Sequence, residues 1–350
     1  MICMGTIMIT AEKIVQNALS LGYHKCGIIP VELMDGYEAR LQERMDRFPE
    51  TKGRYEDFRI FSHLRDKYPW VNAIVICSYW YGKYRIPEHL KGRIAKYYLT
   101  DARRDRNSDG YKASVAFERF LTDSGLHVET DRDFGLTALR WAGMKAGIGI
   151  IRKNNFFYTE KGSYQYLEAF LIDRSFEHIE EPKARPCPDN CGLCIKSCPS
   201  HSLEAPFTMC RNTCVSCLTT WDGWDYRKEP LRENIGKWVY GCDVCQDVCP
   251  FNRKAWEDAE EFPGLEELSS HLTNEELVKA DYTWLHDVLQ PKLWYIPEDK
   301  VWRYKTNALN AIFNNYEPEY LPLIRKACSD PSVEVRRFAQ WILEQLEVEE

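Results

Sequence analysis

CPDNCGLCIKSCP at 187–199 and YGCDVCQDVCPFN at 240–252, with CVSC at 214–217 between them, decide how this chain is organised. Each outer run ends in Cys-Pro after closely spaced thiols. That is the ligand pattern of two [4Fe–4S] clusters, in which the last Cys of each run crosses to the cluster of the other. Three thiolates on one loop reach three corners of a cube only if the backbone wraps it tightly. The proline after the last Cys then stops that turn from continuing.

Cys191, Cys194 and Cys198 keep the C-x2-C-x3-C-P rule, and Cys187 precedes them with three intervening residues instead of two. Cys242, Cys245 and Cys249 repeat the rule, so their fourth ligand must come from upstream: Cys214, with Cys210 and Cys217 as competitors. The expected sets are Cys187, Cys191, Cys194 and Cys249 for one cluster, and Cys198, Cys214, Cys242 and Cys245 for the other. Paired Cys-x2-Cys units also build tetrahedral zinc sites, but zinc has no use for the Cys-Pro crossing.

Upstream of the thiols, AEKIVQNALSLGY reads as a helix and KCGIIPV as the strand after it. VNAIVICSYWY at 71–81 is a buried strand, YKASVAFERFLTDSG at 111–125 a helix closed by Gly125, and GSYQYLEAFLID at 162–173 another strand. This alternation predicts an α/β domain. LTALRWAGMKAGIGIIRKNN at 136–155 places glycines where a helix end must turn tightly against something flat or bulky.

EPKARPCP at 181–188 marks the first boundary, and the acidic EDAEEFPGLEELSS at 257–270 reads as a surface linker into short helices. RYKTNALNAIFNN, PEYLPLIRKACSD and PSVEVRRFAQWILEQLE then predict three amphipathic helices of similar length. The last resembles half of a HEAT repeat. The expected division is 1–180, an α/β domain; 181–256, a ferredoxin-like double-cluster domain; 257–300, an acidic linker with short helices; and 301–350, a HEAT-like helical repeat.

The 350 residues suffice for two or three domains, and 14 cysteines in so long a chain do not make a small disulfide scaffold. Cys3, Cys26, Cys77 and Cys328 stand apart and read as buried or incidental thiols. No stretch approaches the roughly 18 apolar residues of a membrane span, and MICMGTIMIT lacks the positive start of a secretory signal, so a cytoplasmic protein without membrane attachment is expected, with Met8 as an alternative start. A net charge of −7 argues against wholesale electrostatic binding to nucleic acid. GKYRIPEHLKGRIAKYYLTDARRDR at 82–106 is the strongest basic segment, either a local basic face or a solvated helix face.

YGCDVCQDVCPFN, CVSCLTT at 214–220, AGIGIIRKN at 146–154, EKGSYQYLEAFLID at 160–173 and VRRFAQWIL at 335–343 together resemble the epoxyqueuosine reductase family over most of the chain. These are cobalamin-dependent, double-cluster enzymes of tRNA modification. The resemblance implies a nitroreductase-like, corrinoid-binding domain fed by the cluster module, which takes electrons from a donor such as ferredoxin or flavodoxin. It also implies a helical repeat that helps hold tRNA.

The resemblance further implies Asp133 as the general acid that protonates the opened epoxide, with Asp131 as fallback. Arg140, Gly147, Gly149, Lys153, Asn154 and Ser163 would be cofactor contacts. Departures from the family pattern are Asp109-Gly110-Tyr111-Lys112 with no His following, Arg152 and Glu168 in place of glycines, and Cys217 in place of a Tyr. They fall near where cofactor and substrate should bind, while the cluster ligands are intact. The competing readings are a double-cluster electron-transfer protein without corrinoid and a zinc-stabilised RNA-binding module.

Overall fold

The structure is a computed structural model that describes residues 9–221 and 225–349; Cys3 and Met8 lie outside the described residues. α1 (Ala11–Ser20) starts behind Thr10, whose side chain accepts from the Lys13 amide, and buries Ile14, Val15 and Ala18. β1 (Lys25–Pro30), α2 (Tyr37–Arg47), β2 (Ala73–Trp80), α3 (Asp109–Asp123), β3 (Val128–Thr130) and α4 (Leu139–Lys145) follow. Next come a small hairpin of β4 (Ile150–Ile151) and β5 (Phe157–Tyr158), then β6 (Gln165–Ile172).

The strands order as β1-β2-β6-β3, and every pair is antiparallel. The chain is thus mixed α and β as expected, but without the parallel pairing that helix–strand alternation ordinarily brings. The connection at 31–72 returns to the end of the sheet it left, whereas β3, beyond β6 and running parallel to β2, is reached by a crossover at 81–127 that carries α3. β2 is buried at every position because both faces are covered. Ile28, Val75, Cys77 and Phe170 belong to a core shared with α1 and α3, whereas Ile29, Ile74, Ile76 and Leu171 belong to a second core with α4. Cys26 and Cys77 face one another across the β1–β2 pairing, both buried.

After α4 the chain turns on Gly147, at φ +71°. A β-carbon there would stand 1.6 Å from the Glu180 carbonyl oxygen, and one on Gly149 would stand 2.4 Å from the Phe157 ring. The surface that these glycines meet is the protein's own backbone and an aromatic ring. Gly147→Ala is expected to cost about 3 kcal/mol or more of folding stability, from the left-handed backbone and the clash together, read as a lowered urea midpoint with an unchanged m-value.

The cysteine-rich region is built from short pieces: α5 (Leu193–Lys196), a hairpin of β7 (Leu203–Ala205) and β8 (Thr208–Met209), α6 (Val215–Thr220) and α7 (Val244–Asp247). α5 and α7, the turns inside the two Cys-Pro runs, pack on each other.

The acidic stretch from 257 runs along the surface, with most of its acids exposed, and is fastened to the segment at 82–83. The amides of Glu257 and Ala259 donate to the carbonyls of Gly82 and Lys83 at 2.7 and 2.9 Å, and Phe262 and Leu265 are buried. Apolar side chains set among the acids fasten it. The basic segment 82–106 is not one helix: Tyr84, Ile86, Leu90, Ile94 and Leu99 are core residues, while Arg85, Arg104 and Arg106 are exposed.

The C-terminal region ends in α8 (Trp302–Asn314), α9 (Leu321–Ala327) and α10 (Val333–Glu349), of 13, 7 and 17 residues rather than similar lengths. Ten consecutive residues of α8, Arg303 to Ile312, are buried, so it is not an amphipathic surface helix. Arg303 and the asparagines Asn307 and Asn310 serve the cluster module instead, while Lys305 pairs with Asp330 at 2.7 Å. Asn307 donates to the carbonyls of Thr219 and Val239 at 2.8 Å each and accepts from Tyr226 at 2.6 Å. Among the described residues no helix is long and apolar enough to cross a membrane.

Candidate functional site

Charged neighbours relate the expected ligand thiols along the two expected sets, although among the described residues no three His, Cys, Asp or Glu side chains are drawn in to hold a metal ion. Burial raises the Cys194 thiol, and its charged neighbours are Cys187, Cys249 and Cys191. Burial likewise raises Cys242 and Cys245, and both feel Cys214 and Cys198. Cys198 and Cys249, the last thiols of their runs, therefore each lie with the opposite run.

Of the competitors of Cys214, Cys210 lies apart and Cys217 lies beside it. Cys210 is buried with its sulfur 3.6 Å from Glu50 Oε1. Cys217 is the hydrogen-bond partner of Cys214, which draws the Cys214 thiol down, and its own cationic neighbours are Arg211 and Arg54. A donor set of four thiols per group suits a [4Fe–4S] cluster on each.

Three consecutive residues of the β4–β5 turn face this module. Lys153 is buried, and its ammonium donates to the carbonyls of Pro188, Asp189 and Cys191 at 2.8, 2.8 and 2.9 Å. Asn154 donates to the Cys245 carbonyl at 3.0 Å and to Tyr158 Oη at 2.9 Å. Both residues therefore hold cluster loops. Arg152 lies over the rings of Phe251 and Tyr158.

On the other side of the turn is a cavity of about 470 Å³. Tyr37, Tyr55, Phe58, Phe61, Trp141 and Phe157 contribute aromatic walls, and Arg40, Arg44 and Arg140 contribute cations. Thr137 Oγ1, Trp141 Nε1 and Asn155 Nδ2, all in lining residues, are buried without a hydrogen-bond partner. Such orphaned polar atoms in an aromatic, cationic pocket fit a large ligand with many amide and phosphate acceptors, as a corrinoid has.

Ser163 joins cavity to module. It lines the cavity, its Oγ donates to Gln246 Oε1 at 2.9 Å, and its amide donates to Asn252 Oδ1 at 3.0 Å. Gln246 lies between Cys245 and Cys249. Arg140 reaches the Asn155 carbonyl at the cavity edge.

Asp131 and Asp133 also line the cavity. The Asp133 carboxylate accepts two hydrogen bonds from Arg104, at 2.8 and 2.6 Å, its carbonyl accepts from Arg103 at 2.5 Å, and its amide donates to Asp131 Oδ1 at 2.8 Å. The Arg104 hydrogen bonds hold Asp133 below the usual carboxylate range, against the opposing effect of partial burial. Between the two aspartates, Arg132 turns the other way. It pairs with Glu118 and donates to Ser114 Oγ at 2.6 Å, and Ser114 donates to Glu168, whose carboxyl is pushed up by burial. Glu168, a departure noted in the sequence, is thus part of the footing of the Asp loop.

Arg104 and the aromatic wall from 55 to 61 were not singled out from sequence. The second had a signal: in RYEDFRIF at 54–61, Tyr55, Phe58 and Phe61 recur every three residues, the spacing of one helical face.

Residues 187–252 match the model of the 4Fe-4S double cluster binding domain. The epoxyqueuosine reductase of Prochlorococcus marinus is 31% identical over 245 residues, which cover 67% of this chain and 68% of that protein. The chain belongs to the epoxyqueuosine reductase family. A Synechococcus epoxyqueuosine reductase is 35% identical over 116 residues, covering 33% of this chain and only 35% of its relative's length.

Solved epoxyqueuosine reductases share the fold. One, bound to an epoxyqueuosine-modified tRNA-Tyr stem loop, matches with a TM-score of 0.76 at 23% identity over 95% of this chain and 88% of its own. A Bacillus subtilis structure, in which a catalytic aspartate loop is swung out of the active site, matches with a TM-score of 0.72 at 23% identity, again over 95% and 88%.

Proposed function

We propose that this member of the epoxyqueuosine reductase family reduces epoxyqueuosine in tRNA to queuosine, with electrons passed one at a time through two [4Fe–4S] clusters. The observation that carries this reading is Ser163, one residue that both lines the cavity and is hydrogen-bonded to the Cys245–Cys249 loop. Electron store and reaction chamber then share a wall. Removing the epoxide oxygen as water takes two electrons and two protons, and two one-electron clusters match that demand.

Cys187, Cys191, Cys194 and Cys249 would ligate one cluster, and Cys198, Cys214, Cys242 and Cys245 the other. A corrinoid in the cavity would supply the strongly reducing centre that breaks the carbon–oxygen bond. Arg140, Trp141, Thr137 and Asn155 would hold it, while Ser163 keeps its wall in register with the cluster loop. Gly147 and Gly149 act by shaping the backbone around that wall, and Lys153 and Asn154 by fixing the cluster loops.

Asp133 would deliver the proton to the opened epoxide, with Asp131 holding its amide. As an ion pair with Arg104 it is a poor acid, so the substrate must draw Arg104 away, which an RNA phosphate is equipped to do. The sheet domain to about residue 180 is read as nitroreductase-like, residues 181–256 as the ferredoxin-like module, 257–300 as the connecting segment and 301–350 as a HEAT-like repeat that contacts tRNA. An external ferredoxin or flavodoxin would refill the clusters.

The test is anaerobic reconstitution with iron and sulfide, addition of cobalamin, and gel filtration. Expected are about eight irons per chain, a co-eluting corrinoid chromophore, and conversion of an epoxyqueuosine stem loop to queuosine. Full cluster content with no retained corrinoid and no conversion would overturn the enzymatic reading in favour of electron transfer alone.

A further inference from the structure

Arg152 is 3% exposed, and its Nε and Nη1 atoms are buried with no hydrogen-bond partner. Among the described residues no carboxylate pairs with it; its neighbours are two rings, with the guanidinium carbon 3.4 Å from the Phe251 centroid and 4.7 Å from that of Tyr158. A buried cation with no counter-charge is among the costliest arrangements in a protein interior, and structures tolerate it only when something supplies the missing negative charge.

The surroundings indicate what does. Phe251 follows Cys249 by two residues, and Tyr158, its hydroxyl pushed up by burial, has Cys249 as hydrogen-bonding and charged neighbour. Lys153, the next residue, clasps the Pro188–Cys191 carbonyls of the same thiol group. The guanidinium therefore lies on the Cys187–Cys191–Cys194–Cys249 side of the module, at the turn that separates it from the cavity. A [4Fe–4S] cluster on four thiolates is a net anion, and its sulfur atoms accept hydrogen bonds.

We infer that Arg152 is the counter-charge of the Cys249-side cluster and sets its reduction potential above that of the other. The inference rests on the reading of the two thiol groups as [4Fe–4S] sites. Reduction adds one electron, and so one negative charge, to the cluster while nothing else changes. A fixed cation in a low-dielectric setting stabilises the reduced form, as do hydrogen bonds to cluster sulfur. The cluster at the Arg152 turn then becomes the resting place of the electron, and flow from the other cluster is downhill.

The test is an electron-paramagnetic-resonance redox titration of the reconstituted full chain, which requires neither corrinoid nor RNA. In Arg152→Met the midpoint of one cluster should fall while the other stays, with iron content unchanged. Arg152→Lys, which keeps the charge, should fall less. Two unmoved midpoints in Arg152→Met, or an equal fall in Arg152→Lys, would overturn the inference and leave the proposed reaction standing. Should Arg152→Met fail to assemble, Arg152→Gln against Arg152→Lys makes the same comparison. Failure of the wild-type chain to bind iron would remove the ground for both readings.

Discussion

Asp133→Asn is expected to lower epoxide turnover by about 10²–10⁴-fold, the usual contribution of a positioned general acid. Asparagine matches the carboxylate in shape, so cluster content and binding of the RNA stem loop should be retained. Loss of binding along with turnover would assign Asp133 a structural role instead. Arg104→Gln separates the acid from its restraint.

The sign follows from the ion pair. Arg104 lowers the Asp133 pKa, and an acid works only while protonated, so the restrained enzyme loses activity at the lower pH. Without Arg104 the pKa rises towards its ordinary value, the protonated form persists to higher pH, and the alkaline limb of the pH–rate profile should move up. For stability the same pair acts oppositely. It contributes above the unfolded carboxylate pKa and is lost as pH falls through the lower folded value, with little effect because both groups are over a third exposed.

Cys249→Ala is expected to reduce bound iron from about eight to about four per chain or fewer, because the missing ligand belongs to one group while its loop carries two ligands of the other. Cys210→Ala should leave iron unchanged, since that thiol faces Glu50. Cys214→Ala against Cys217→Ala identifies the eighth ligand directly: loss of iron in the first and retention in the second is the expected pair. The reverse pattern would transfer the role to Cys217 and make Cys214 its hydrogen-bonding neighbour. Iron assay and visible absorption are sufficient to distinguish them.

The double-cluster domain was legible in the sequence because ligand spacing is a local property: a cube of iron and sulfur dictates how far apart cysteines on one loop can stand. The sheet strands were legible for a similar reason, through their β-branched runs. Strand direction was not, since nothing within 73–80 or 165–172 records how the intervening chain returns. The latch on Asp133 was also hidden. Arg104 and Asp133 are 29 positions apart, and only folding brings them together. The α8 helix misled for a different reason: its Arg, Lys, Thr and Asn residues look like a wet face until their partners are in view, which are carbonyls of the cluster module for Arg303, Asn307 and Asn310, the Asp330 carboxylate for Lys305 and the helix's own Arg303 carbonyl for Thr306.

Lys153 grips its loop through three carbonyl oxygens, neutral partners whose attraction does not change with the oxidation state of nearby iron. A ligand loop fastened in this way has little reason to shift when an electron arrives or leaves. Small movement means a small reorganisation energy, and a small reorganisation energy lets an electron hop quickly on a modest driving force. The buried lysine thus stiffens the relay, and its fixed ammonium, like the Arg152 guanidinium, favours the reduced form of the cluster beside it.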